Sequence, residues 1–196
     1  MIKSICVLVF VLIQSLAMSQ SITNYTTADG LPDNDVTCLV HDGNGTMWFG
    51  TQKGVAAFDG MNWESYTTES DSAIPQDAIT AIAMGNNSDI WIGTDAGAAV
   101  YDGSEWKAFT TADGLGSNRV NHIATMSNGD IWFSEFNGAT KYDGITFKAY
   151  SNSDGLPFGG VVKIAEDNNG DILMCTGLGG LVTFDGTNFT AYSTTE

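Results

Sequence analysis

Asp29 to Gly60 reads DGLPDNDVTCLVHDGNGTMWFGTQKGVAAFDG. Short runs of Val, Leu, Met, Trp, Phe and Ala alternate with clusters of Gly, Asn and Asp, the pattern of β-strands joined by tight turns. The closing Phe58-Asp59-Gly60 returns as Tyr101-Asp102-Gly103, Tyr142-Asp143-Gly144 and Phe184-Asp185-Gly186, with aspartates 43, 41 and 42 residues apart. A second ruler keeps phase: Met47-Trp48-Phe49-Gly50, Ile90-Trp91-Ile92-Gly93, Ile131-Trp132-Phe133-Ser134 and Ile172-Leu173-Met174-Cys175. A third is TTADGL, at Thr26–Leu31 and again at Thr110–Leu115, with Ser153-Asp154-Gly155-Leu156 a weaker copy. Three markers in phase over one period identify a repeat protein of the propeller or solenoid kind.

Each period resolves into four short strands, in the first repeat 36–41, 46–51, 54–59 and 62–67, and the later first strands begin at Ile79, Val120 and Val161. The Asp-Gly turns suit type I′ hairpins between the third and fourth strands. Turn signals arrive too often for even a three-turn helix. Val36 and Leu39, Ile79 and Ile82, Val120 and Ile123, and Val161 and Ile164 are odd-spaced apolar pairs. Both faces of these strands are therefore expected to meet protein, as in inner strands squeezed between neighbouring sheets. Trp63, Trp106, Phe147 and Phe189, and Tyr66, Phe109, Tyr150 and Tyr192, are the matching aromatic anchors between blades. The fold class is all-β, with four β-propeller-type blades of four antiparallel strands at about 36–67, 79–110, 120–151 and 161–193.

The Asp29–Gly60 stretch resembles the two-component regulator propeller repeat: DGLP, V-x-x-I, D-x-x-G-x-I-W-I-G-T, G-L, aromatic-D-G. The resemblance runs from Tyr25 to Tyr192. It departs in the second copy, where Glu69 to Pro75 replaces DGLP, and in the fourth, where Leu173-Met174-Cys175 replaces W-x-G. It implies a bacterial periplasmic sensor propeller that recognises glycans or related ligands, often as a dimer. No kinase or DNA-binding segment follows the repeats in this sequence.

The first residues are read separately. Lys3, an apolar run from Ile5 to Leu16 and the small residues Ala17 and Ser19 form a signal-peptide pattern over 1–19. Residues 20–196 are then the propeller domain, exported to the periplasm or secreted. The apolar run is shorter than the roughly 20 residues of a spanning helix, so no membrane insertion is expected after cleavage. The whole chain carries a net charge of -16, with 23 acidic residues against 7 Lys and Arg. Such an acidic surface repels nucleic acid and anionic lipid. Cys38 and Cys175 lie in different repeats; a bridge and two isolated thiols are both compatible with the sequence. No CxxC or His/Cys ligand spacing is present, so no metal or cofactor is expected.

The strand count leaves a remainder. Tyr25-Thr26-Thr27 mirrors Tyr66-Thr67-Thr68, which points to a surplus outer strand over 21–26. Three closures fit: a self-contained ring of four blades, a half-ring completed by a homodimer, and a fragment that needs neighbouring blades.

Propeller ligands bind on the face that gathers the loops entering the first strand and those joining the second to the third. Varied residues on that rigid frame are the candidate site: Lys53, Asp95, Arg119, Glu135, Phe136 and Asn137, together with His122 on a first strand. Phe136 between Glu135 and Asn137 suits stacking on a sugar ring with polar groups at its rim. No nucleophile lies at motif spacing from His122 or His41, so catalysis is not expected. A polysaccharide-active enzyme, the alternative, needs His122, Arg119 and Glu135 to converge. Asp42-Gly43-Asn44-Gly45 resembles a calcium loop but lacks the closing glutamate, and is read as a turn.

Overall fold

The computed structural model describes residues 22–157 and 159–192. The segment expected to be a signal peptide lies outside them. Among the described residues no helix is long and apolar enough to cross a membrane.

Among the described residues, sixteen strands form four antiparallel sheets, each from four consecutive strands in chain order. Blade 1 holds β1 (Val36–His41), β2 (Met47–Thr51), β3 (Gly54–Phe58) and β4 (Trp63–Tyr66). Blade 2 holds β5 (Ile79–Met84), β6 (Ile90–Thr94), β7 (Gly97–Tyr101) and β8 (Trp106–Phe109). Blade 3 holds β9 (Val120–Thr125), β10 (Ile131–Glu135), β11 (Gly138–Tyr142) and β12 (Phe147–Tyr150). Blade 4 holds β13 (Val161–Glu166), β14 (Ile172–Thr176), β15 (Gly180–Phe184) and β16 (Phe189–Tyr192). This is the all-β propeller-type architecture expected from the repeat.

The turns form for local reasons. Asp59 Oδ1 accepts the N–H groups of Met61 and Asn62 at 2.7 and 2.6 Å, and Asp102, Asp143 and Asp185 repeat the arrangement. Gly60, Gly103, Gly144 and Gly186 follow with φ between 92° and 96°, the left-handed region where glycine costs least. Asp42 Oδ1 likewise accepts from Asn44 and Thr46 at 2.8 and 3.0 Å, so its carboxylate closes a turn.

One hydrophobic cluster fills each gap between successive blades. Trp48, Val55, Ile79 and Ile92 join blades 1 and 2; Trp91, Ala98, Val120 and Phe133 join 2 and 3; Trp132, Ala139, Val161 and Met174 join 3 and 4. A stacked aromatic pair recurs at each gap, Trp48 with Tyr66, Trp91 with Phe109 and Trp132 with Tyr150, at centroid distances of 5.8, 5.5 and 5.4 Å. Such pairs add about 0.5–1.5 kcal/mol beyond their burial.

The odd-spaced apolar pairs have a cause the sequence did not reveal. Register shifts fall between Val36 and Cys38, Ile79 and Ala81, and Val161 and Lys163, and between Ser134 and Glu135 opposite β9. A β-bulge inserts one residue and turns the odd spacing into a shared face. Val120 and Ile123 accordingly lie in one cluster, as do Val161 and Ile164. Each blade thus has a front, facing the preceding blade with these residues, and a rear that receives the next blade.

The surplus outer strand is not formed over the described residues 22–26, which carry no strand. Each third strand is already paired with the outer strand that follows it. Thr26 belongs instead to a loop cap, its N–H and hydroxyl both meeting Asp29 Oδ2, as Thr110 meets Asp113 and Ser151 meets Asp154. The similarity of 25–27 to 66–68 comes from this cap. Tyr25 packs on Phe58 and Trp63. Cys38 and Cys175 are both free.

Candidate functional site

The seven candidate residues separate into four places. Asp95, Arg119, Phe136 and Asn137 share the loop face over blades 2 to 4. Arg119, just before β9, holds its Nε 3.2 Å from Asp95 Oδ1 in the β6–β7 loop. Its guanidinium also lies 5.7 Å from the centre of the Phe136 ring in the β10–β11 loop. The backbone secures this spacing, since the Phe136 N–H donates to the Arg119 carbonyl at 3.3 Å.

Beyond Phe136 a cleft opens between blades 3 and 4. Phe136, Asn137, Asn152, Gly159, Gly160 and Leu178 line its volume of about 460 Å³. Phe136 is 62% exposed and Leu178 82%, so two large apolar side chains face solvent across a groove with amides at its edge. The loop backbones are braced by the Gly177 N–H, which donates to the Gly160 carbonyl at 3.2 Å. Gly160 needs its glycine: its φ is 65°, and a Cβ there would lie 2.3 Å from the Phe136 carbonyl oxygen.

Lys53 stands apart on blade 1, with its Nζ 2.7 Å from Asp33 Oδ2. His122 lies at the rear of β9, where its Nδ1 faces the Ile164 N–H of β13 at 3.4 Å. Burial, aided by the charge of Lys163, lowers its pKa and keeps the imidazole neutral.

Glu135 differs most from expectation. It is 1% exposed, at the front of blade 3, with its carboxylate against Gly116. Burial raises its pKa to about 7, against smaller opposing effects from the Thr140 hydroxyl and the N–H groups of Gly116 and Ser117. Its Oε1 has no hydrogen-bond partner among the described residues. The repeat held the clue: Glu135 closes β10 where Thr51, Thr94 and Thr176 close their strands, each donating to a glycine carbonyl. Glu135 and His122 therefore occupy opposite sides of the blade-3 sheet, and the catalytic convergence with Arg119 is not assembled. Leu178, in the β14–β15 loop of the expected ligand face, joins the cleft, and so does Asn152, which was not among the sequence candidates.

Four-stranded antiparallel blades stacked face to face, with a loop-lined cleft at one end, define a β-propeller protein. Residues 30–53 match the family described as two component regulator propeller. The fold is similar to the extracellular domain of a protein described as a hybrid two component system of B. thetaiotaomicron, with 25% identity and TM-score 0.73 over 81% of this chain and 23% of that one. A second extracellular domain from B. thetaiotaomicron, described as a one component system, gives 20% identity and TM-score 0.67 over 88% of this chain and 23% of that one. The chain spans under a quarter of the length of either sensor domain. Catalytically inactive virginiamycin B lyase from Staphylococcus aureus shares the fold at 19% identity and TM-score 0.69, over 92% of this chain and 62% of that one. No curated protein matches the chain.

Proposed function

We propose that this chain is a non-catalytic, extracellular ligand-binding module of sensor type, and that its ligand docks in the cleft between blades 3 and 4. The observation that carries this reading is the exposure of Phe136 and Leu178 on either side of a groove of about 460 Å³, within the range of small-molecule sites. An oligosaccharide fits the chemistry: Phe136 offers a ring for the apolar face of a sugar, while Asn137 and Asn152 offer amides to its hydroxyls. Arg119, held by Asp95, keeps the Phe136 ring in place from behind. The extracellular setting of the B. thetaiotaomicron domains supports the location, and the separation of His122 from Glu135 supports binding without catalysis.

Titration calorimetry against a panel of neutral and acidic oligosaccharides tests the reading. At least one sugar binds, Phe136→Ala weakens it by tenfold or more, and Met61→Ala, on the opposite end of the blades, leaves it unchanged. No binding across the panel, or equal loss in both variants, contradicts it.

A further inference from the structure

The two ends of the blade stack match one another. At the front of blade 1, Val36 is 39% and Leu39 60% exposed. The equivalent pairs in blades 3 and 4, Val120 with Ile123 and Val161 with Ile164, are at most 4% exposed, and Ile79 in blade 2 is 1%. At the rear of blade 4, Leu181 is 41% and Tyr192 58% exposed, and Cys175 is exposed. Their equivalents facing a following blade are buried: Val55, Ala98 and Ala139 at 0% for Leu181, and Phe109 and Tyr150 at 6% and 7% for Tyr192. Exposed sheet faces of this size invite association.

We infer that a second copy of this chain covers both ends, the rear of blade 4 in each copy seating the front of blade 1 in the other. The argument is the repeat's own knob and socket. A Cβ built on Gly50 would lie 2.7 Å from the Ile79 Cγ2, and one on Gly93 2.6 Å from the Val120 Cγ1, so the first aliphatic residue of each inner strand fills the small-residue site of the blade before. Ser134 takes the same role for blade 4, its hydroxyl donating to the Val162 carbonyl at 3.2 Å. Among the described residues, Cys175 is the fourth small residue of this series and faces no knob, while Val36 is the fourth knob and faces no socket. A second copy supplies both, and two head-to-tail contacts related by a two-fold axis close the assembly.

The seam between copies differs from the internal ones in one respect. The bulge residues Thr37, Thr80 and Asn121 each donate to the next inner strand, at 2.7, 2.6 and 3.1 Å. The fourth bulge residue is Val162, 49% exposed, with no donor to give. The seam is therefore apolar and opens before the blades unfold.

Light scattering on the full chain is the first test, and it gives twice the monomer mass, falling to the monomer mass on dilution. Leu39→Glu gives the monomer mass at all concentrations with unchanged far-UV circular dichroism. The second test reads the contact itself. The built Cβ atoms of Gly50 and Gly93 lie 3.0 Å from those of Ile79 and Val120, close to the spacing a disulfide spans. In a Cys38→Ala background, Val36→Cys treated with oxidised glutathione therefore gives a discrete linked dimer, abolished by adding Cys175→Ser. A monomer mass up to the solubility limit overturns the proposal. So does a ladder of growing oligomers, or a linked dimer that survives Cys175→Ser.

Discussion

The Thr37 hydroxyl on β1 donates to the Ile79 carbonyl on β5 at 2.7 Å, fastening the inner strands of blades 1 and 2 at the bulge that re-aims them. The Thr80 hydroxyl does the same to the Val120 carbonyl between blades 2 and 3. A bulge exposes backbone carbonyls that the ladder no longer satisfies, and these side chains satisfy them.

Thr80→Val keeps the shape and removes the donor, leaving the Val120 carbonyl unmet. The expected loss is about 1–3 kcal/mol of unfolding free energy, read from the midpoint of urea denaturation. Thr37→Val is expected to behave alike. An unchanged midpoint in both would show that these bonds do not hold the blades together.

The gaps also depend on missing side chains. Gly93→Val would drive its branched carbon into Val120, already 2.6 Å from a bare Cβ, at the centre of a packed cluster. Overpacking of this kind costs about 1–3 kcal/mol. Thermal unfolding by circular dichroism checks it, with Gly60→Ala as a comparison in which only backbone strain enters, since nothing lies within 4 Å of that site.

Glu135 makes stability depend on pH. Its folded pKa of about 7 lies above the ordinary 4.5 because burial disfavours the charge. Between these values the folded chain holds a proton that the unfolded chain has released. The contribution is full below pH 4.5 and is lost as pH rises through 7, at about 1.4 kcal/mol per unit and about 3 kcal/mol in all. The turn aspartates, with pKa values lowered by their hydrogen bonds, act with the opposite sign and only in more acid solution. Subtracting the Glu135→Gln profile from that of the unchanged protein isolates the Glu135 effect. The difference should fall steadily from pH 5 to 7 and level off above 8; a flat difference would contradict the burial.

The repeat rulers carried the fold because each marks a different physical need. Asp59 and its copies make the hairpin turns, Trp48 and its copies floor the gaps, and Leu31, Ile74, Leu115 and Leu156 are buried beneath the entering loops. What the sequence concealed lay where one residue type serves two ends. Thr26 looked like the tail of a strand because the loop cap uses the same Tyr-Thr-Thr start as a strand end. Glu135 looked like a rim residue because a charged side chain after a strand usually faces water, and only its alignment with Thr51 and Thr94 argued otherwise. Of the candidate site, Asp95, Arg119, Phe136 and Asn137 were legible as loop variation on a fixed frame. The approach of Leu178 to Phe136 was not, because it depends on how blades 3 and 4 stack.

The measurement that bears most directly on the function is amide chemical-shift mapping by NMR with a sugar identified from the panel. Two clefts lie at opposite ends of the blades: the one beside Phe136, and one of about 300 Å³ between blades 2 and 3 lined by Asn86, Asp89, Asp102, Glu105 and Lys107. Ligand binding on the loop face predicts shifts concentrated at Phe136, Asn137, Gly159, Gly160 and Leu178, with the signals of Asn86, Asp89 and Glu105 unmoved. Shifts confined to the second set would contradict the account and place the site at the opposite end.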